Sequence, residues 1–322
     1  MESYKKSVFL KFRNSTIQIR SQSFQLLEKI LFDLKPFHVE GKSIEGACHT
    51  IHLNIERPDV CIKPPFPSLS WKGKKIWGWG RKRFVLYPGY GHLKMEISNA
   101  GTKTLRFQFQ DEEELRIQVL LCIQALWGED VEAEGLVRIH SLSLEKDEGG
   151  IVMMADSGSG KSFFALKILR DEKGVKVLSD ETAWLDEGKL LHFPTPMAVD
   201  HEGAVVPPGF QEGAPMKRGG LGQKRIFQVS TPIDPNQTAL REIIYYSASP
   251  HWIERLFWRL FFLAKLTLGY QLPQMFEILV RRDSFIAILK TAGRRVLFGI
   301  RVLVRNKVRP VFDQNHLSEL DF

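Results

Sequence analysis

The sequence predicts an α/β protein of two domains, an N-terminal α/β domain over residues 1–131 and a phosphate-loop domain over residues 132–322. Three observations predict it. A short apolar run, a Gly/Ser-rich loop and an amphipathic helix follow one another over residues 151–169. A second apolar run, Val175–Leu178, follows that helix, as in a strand–helix–strand unit with a parallel strand pair. The first 130 residues mix helical and alternating periodicities, and 322 residues are enough for two cores.

In the N-terminal half, "SFQLLEKILFDL" places Phe24, Leu27, Ile30 and Leu31 on one helical face. "HLKMEISNAGTKTLRFQFQ" alternates on both sides of Asn99-Ala100-Gly101, a hairpin signal. Asp111 is placed to cap the buried helix "EEELRIQVLLCIQALWG". "WKGKKIWGWGRKRF" interleaves three tryptophans with six basic residues. That mixture stacks on single-stranded nucleic acid in some proteins, but without a nucleic-acid fold around it a solvated hairpin is expected. Cys48, His49 and His52 would need a fourth ligand to hold a metal, so none is assigned.

The second domain opens with a strand over Val137–Leu144. A turn centred on Glu148 would set His140 opposite Asp156 on the returning strand Ile151–Met154. The loop itself is Ala155, Asp156, Ser157, Gly158, Ser159, Gly160, Lys161 and Ser162, with Phe163 next. Gly158 and Gly160 let consecutive N–H groups turn inward around phosphate oxygens, and the helix starting at Ser162 adds its positive end. Lys161 would reach the β- and γ-phosphates, and the Ser162 hydroxyl would bind Mg²⁺. Alanine at position 155, where the pattern has glycine, matters only if that turn needs a positive φ. Asp180 and Glu181 follow the next strand, so their carboxylates are expected at the same sheet edge as the phosphates. There Asp180 would hold Mg²⁺ or take a proton. Proline-rich turns through Pro208 and a strand at Arg225–Val229 come next.

Composition sets limits. Hydrophobic residues make up 43% and charged ones 25%, ordinary for a soluble globular chain. Three scattered cysteines (Cys48, Cys61, Cys122) suit a reducing cytoplasm. No signal-like start and no charge-free stretch of 18 residues is present, so a cytoplasmic protein without a transmembrane helix is expected. The net charge of +8 is concentrated: His251–Pro310 holds twelve Lys and Arg against Glu254, Glu277 and Asp283. "HWIERLFWRLFFLAKLTLGY" reads either as a helix lying in a membrane interface or as a core helix whose arginines reach outward. Arg255 and Arg259 interrupt the apolar run and favour the core helix, with the surplus charge serving an acidic partner.

"RIHSLSLEKDEGGIVMMADSGSGKSFFALKIL" followed by "VLSDE", residues 136 to 185, resembles the catalytic core of the HPr kinase/phosphorylase family and its divergent relatives. Ala155, Phe163 and Glu181 depart from that family's pattern. The resemblance implies a P-loop domain of the HPr kinase/phosphoenolpyruvate carboxykinase type that uses ATP and Mg²⁺. It implies Asp180 as the base that activates a serine-like hydroxyl, with His140 and Glu181 beside it. The expected activity is transfer of the γ-phosphate to a hydroxyl of a protein, peptide or small molecule, and homo-oligomerisation is left open. The alternatives are a nucleotide-switched binding protein without an acceptor and a nucleic-acid-associated ATPase.

Overall fold

The computed structural model describes residues 6–40, 48–56, 69–71, 74–79, 81–156, 159–186, 188–199, 204–217, 223–229, 237–247, 250–268 and 284–312. The architecture is mixed α/β with large sheets, and the chain divides into two units. The first comprises Met1–Val131, Met216–Gly222 and Met275–Ser284; the second comprises Glu132–Pro215, Gln223–Gln274 and Phe285–Phe322.

Among the described residues the first unit is one nine-stranded sheet with two α-helices. Its strands are β1 (Lys6–Phe12), β2 (Ser15–Ser21), β3 (His38–Val39), β4 (Cys48–Ile55), β5 (Leu69–Trp71), β6 (Lys74–Trp79), β7 (Lys82–Tyr87), β8 (Gly91–Ile97) and β9 (Lys103–Phe109), ordered β3-β1-β2-β4-β9-β8-β7-β6-β5. The β8–β9 hairpin turns at Gly101, whose φ of 86° suits glycine, and pairs Ile97 with Lys103. Helix α1 (Phe24–Asp33) is capped by the Ser23 hydroxyl, which accepts from the Leu26 N–H at 3.2 Å. It buries Leu26, Leu27 and Ile30, while Phe24 is exposed beneath Lys6, so the buried stripe sits partly off the expected one. Helix α2 (Glu112–Ala133) begins at Asp111, whose carboxylate accepts from the Glu114 N–H at 2.9 Å. Its Arg116 forms a fully buried bidentate pair with Asp33 at 2.7 Å. The basic tryptophan segment forms the β6–β7 hairpin, with Trp77 stacked on Phe84 at 4.1 Å.

The second unit carries β10 (Val137–Lys146), β11 (Gly149–Met154), α3 (Lys161–Asp171), β12 (Lys176–Ser179), β13 (Thr182–Asp186), β14 (Lys189–Leu191), β15 (Met197–Val199), β16 (Phe210–Lys217), β17 (Gln223–Val229) and β18 (Gln237–Tyr246). It ends in α4 (Trp252–Leu256), α5 (Trp258–Leu268), α6 (Ser284–Val304) and β19 (Val308–Val311). The main sheet runs β11-β10-β13-β14-β18-β19, with β12 on β10 and a further β11–β18 pairing that closes five strands on themselves. A small sheet, β15-β17-β16, stands apart from it.

Two expectations change here. Strands β11 and β12 are not neighbours: both pair antiparallel with β10, which lies between them, so the two run parallel without touching. The β10–β11 turn has Asp147 and Glu148 at φ of 50° and 60°, a two-residue type I′ turn, rather than a turn centred on Glu148 alone. That moves the register by one: Ser141 pairs with Met154, and the same register extended sets His140 against Ala155 instead of Asp156.

The sheet is covered on both faces. Leu142, Leu144, Ile151 and Met153 share a cluster with Ala165 and Ile168 of α3; Ile139, Val152, Met154 and Tyr245 share another with Phe262, Leu266 and Val302 of α5 and α6. The C-terminal helices enter the core only in part, unlike the core helix expected. Phe262 and Leu266 are buried, but Trp252, Leu256 and Leu260 are 65%, 65% and 64% exposed. No helix among the described residues is long and apolar enough to cross a membrane.

Candidate functional site

Strand β11 is buried along its length because both faces are covered, so its last residue delivers the chain rigidly to the loop. Ala155 follows, also buried, in the α3-side cluster, and its φ is not positive. The methyl group therefore costs no backbone strain and fills core space, which is why alanine serves here. Ser157 and Gly158 lie outside the described residues. The chain re-enters at Ser159, whose N–H donates to the Asp156 carbonyl at 3.2 Å. Gly160 then caps α3 with φ 86° and ψ 16°; a Cβ there would meet nothing within 4 Å, so the demand for glycine is conformational.

Lys161 and Ser162 open the helix on its buried side. The Lys161 ammonium donates to the carbonyls of Ala155 and Asp156, both at 2.9 Å, curling back over the loop. Its burial pulls the pKa down, while the charges of Asp180 and Glu181 pull it back up. The Ser162 hydroxyl donates to Asp180 Oδ2 at 2.7 Å, so an acid 18 residues on is tied directly to the loop helix. Phe163, by contrast, is 57% exposed.

Asp180 is 3% exposed, and burial pushes its pKa up to about 7, partly offset by the Ser162 hydrogen bond and reinforced by Glu181. Its Oδ1 is buried, and the Ala198 backbone N–H lies close enough to the carboxyl to favour its ionised form. The residue is held from behind by buried hydroxyls. Thr195 Oγ1 lies 3.0 Å from Ser179 Oγ and accepts from the Asp180 N–H at 3.4 Å, and Ser179 Oγ accepts from the Thr182 N–H at 3.1 Å. Sequence reasoning missed Thr195; its signal was the rigid setting between Pro194 and Pro196 in "FPTPM".

His140 alternates with Leu142 and Leu144 along β10, which puts it on the face that carries α3. Its Nδ1 lies 2.9 Å from the Glu181 carbonyl, so in the neutral ring the proton is on Nδ1. The same carbonyl accepts from the Ser141 N–H at 3.3 Å, fixing the backbone of the Asp180-Glu181 pair against β10. Asp156 points outward, where Lys265 of α5 donates to its Oδ2 at 2.9 Å; Lys265 also lies 3.5 Å from Glu254, which accepts from the Tyr245 hydroxyl at 2.5 Å. Lys265, 109 residues away, was not foreseen.

The loop, its lysine and serine, and one buried acid of raised pKa thus meet at one sheet edge. Among the described residues no group of three or more His, Cys, Asp or Glu side chains could hold a metal ion. Ser162 and Asp180 provide two oxygen ligands, which suits an ion that takes its remaining ligands from phosphates and water.

No family model and no curated protein matches the sequence. Among solved structures, the chain is similar to the HPr(Ser) kinase/phosphatase from Coxiella burnetii at 16% identity and a TM-score of 0.20, over 34% of this chain and 65% of that one. The match thus spans less than two thirds of that protein's length.

Proposed function

We propose that the protein is an ATP-dependent kinase that transfers the γ-phosphate to a serine-like hydroxyl, on a P-loop domain of the HPr kinase/phosphoenolpyruvate carboxykinase type. The observation that carries this reading is the Ser162–Asp180 hydrogen bond of 2.7 Å at the start of the loop helix. It sets a buried carboxyl of pKa about 7 against the expected phosphate position, and such a group is near half-ionised at neutral pH.

The residues divide the work as follows. Loop amides and the positive end of α3 hold the phosphates, and Lys161 turns from the Ala155 and Asp156 carbonyls to their oxygens. Ser162 and Asp180 Oδ2 would hold Mg²⁺, which when bound neutralises charge on the phosphoryl oxygens. The Asp180 carboxylate accepts the acceptor hydroxyl's proton as the hydroxyl oxygen bonds to the γ-phosphorus and the bond to the leaving diphosphate breaks. Thr195 and the His140–Glu181 contact position Asp180 and do not touch the reacting atoms.

Two variants test the reading. Lys161→Ala should abolish Mg-nucleotide binding by calorimetry. Asp180→Asn should keep binding of the nucleotide measured without Mg²⁺ but lose about 10²–10⁴-fold in transfer of labelled phosphate to serine peptides and to water, the typical effect of removing a general base. Undiminished affinity in Lys161→Ala would refute the nucleotide site. Tight nucleotide binding with no transfer in the wild type would favour a nucleotide-switched binding protein.

A further inference from the structure

Helices α4 and α5 carry an apolar stripe on the outside. Trp252, Ile253, Leu256, Phe257, Leu260 and Phe261 fall at i, i+1, i+4, i+5, i+8 and i+9, one helical face, and all are exposed. The helical path runs on through Phe257, whose N–H donates to Ile253 and whose carbonyl accepts from Phe261 at 3.2 Å. The inward side is filled separately, by Phe262 and Leu266 against Tyr245. Helix α6 repeats the arrangement with exposed Leu289, Leu297, Ile300 and Val304. It crosses α5 closely at Gly299, where a Cβ would come within 2.4 Å of Leu263 Cδ2.

Isolated exposed apolar residues are ordinary, whereas ten on three of the described helices mark a contact surface. Its charge identifies what it contacts. Arg255, Arg259 and Arg301 are exposed on the same helices, and Arg305 is exposed just past the end of α6. A pocket of about 440 Å³ that includes Leu297 sets Arg294, Arg301, Arg305 and Lys307 against Glu134 and Asp186. A second copy of this face would bring the same cations together. A layer that is apolar below and anionic on top accepts both kinds of group.

We infer that this C-terminal helical face lies on an anionic phospholipid bilayer. Trp252, Leu256 and Leu260 enter the boundary between headgroups and acyl chains, and the four arginines meet lipid phosphates. None of the described helices is long and apolar enough to cross, so this face is placed on the membrane surface.

Co-sedimentation of the full chain with vesicles tests this. Binding is expected to phosphatidylcholine vesicles containing phosphatidylglycerol, absent from pure phosphatidylcholine, and weakened by salt. The variant Trp252→Ala/Leu256→Ala/Leu260→Ala should bind roughly a hundredfold more weakly with its melting temperature retained, because it removes only exposed apolar area. Should that variant fold poorly, Arg301→Glu/Arg305→Glu keeps every apolar side chain of the stripe and must also lose binding. Failure of the wild type to bind anionic vesicles overturns the inference. So does equal binding to neutral vesicles, or a wild-type dimer that these substitutions dissociate.

Discussion

Asp180 is held where its charge is costly, and its protonation therefore couples to folding. An aspartate in the unfolded chain titrates near pH 4, whereas the buried native group titrates at about 7. Below about pH 4 both states hold the proton and the native state has its full stability from this group. Between about 4 and 7 the unfolded chain has released the proton while the native state keeps it, so stability falls as pH rises. The expected outcome is a urea midpoint that drops across that window in the wild type and stays flatter in Asp180→Asn. Phosphoryl transfer should run the other way, rising with pH as the base ionises, with a midpoint below the metal-free value of about 7 because Mg²⁺ at Oδ2 would favour the carboxylate. At Ala155 the loop's departure from the usual glycine is a packing choice: the methyl is buried and the backbone unstrained. Ala155→Gly should cost about 1–2 kcal/mol by chemical denaturation, from lost burial and greater backbone entropy, with nucleotide affinity unchanged.

At the scale of elements, the turn between β10 and β11 sets the register that brings His140 to the loop. Asp147 and Glu148 both adopt positive φ, and glutamate gains nothing there. Glu148→Gly should raise stability by about 0.5–1 kcal/mol, read from the denaturation midpoint, because the type I′ turn favours glycine at its second central position. The same turn shows what was legible. Strand β11, the loop and α3 could be read directly, since apolar run, glycines and helical spacing all occur within 20 residues. The register was not readable to one residue, because a turn made by Asp147 and Glu148 together could not be told from one centred on Glu148. Nor was β10 between β11 and β12 visible, because a strand–helix–strand pattern gives direction and not adjacency. Thr195 stayed hidden because its hydroxyl acts through a contact 15 residues away. In α4 and α5 the periodicity revealed an apolar face, but periodicity alone does not say whether a face looks inward or outward.

Across the whole molecule, the surplus positive charge gathers in the C-terminal segment, and one member of it returns to the loop. Lys265 of α5 pairs with Asp156, joining a helix that bears the exposed apolar stripe to the turn that precedes Lys161. Asp156 is 65% exposed in this pair, so the bond itself should contribute no more than about 1 kcal/mol to folding. Its larger effect is electrostatic. Without Lys265, the Asp156 carboxylate stands uncompensated beside the position proposed for the phosphates, and repels them. Lys265→Met should therefore leave the melting temperature nearly unchanged while weakening Mg-nucleotide binding by roughly three- to tenfold, more at low salt than at high. Asp156→Asn in the same chain should restore most of that loss, because it removes the charge that Lys265 had balanced. A double-mutant cycle by calorimetry measures the coupling directly. If Lys265→Met alone leaves nucleotide affinity unchanged, or if Asp156→Asn fails to rescue it, Lys265 does no more than fasten α5 to the loop.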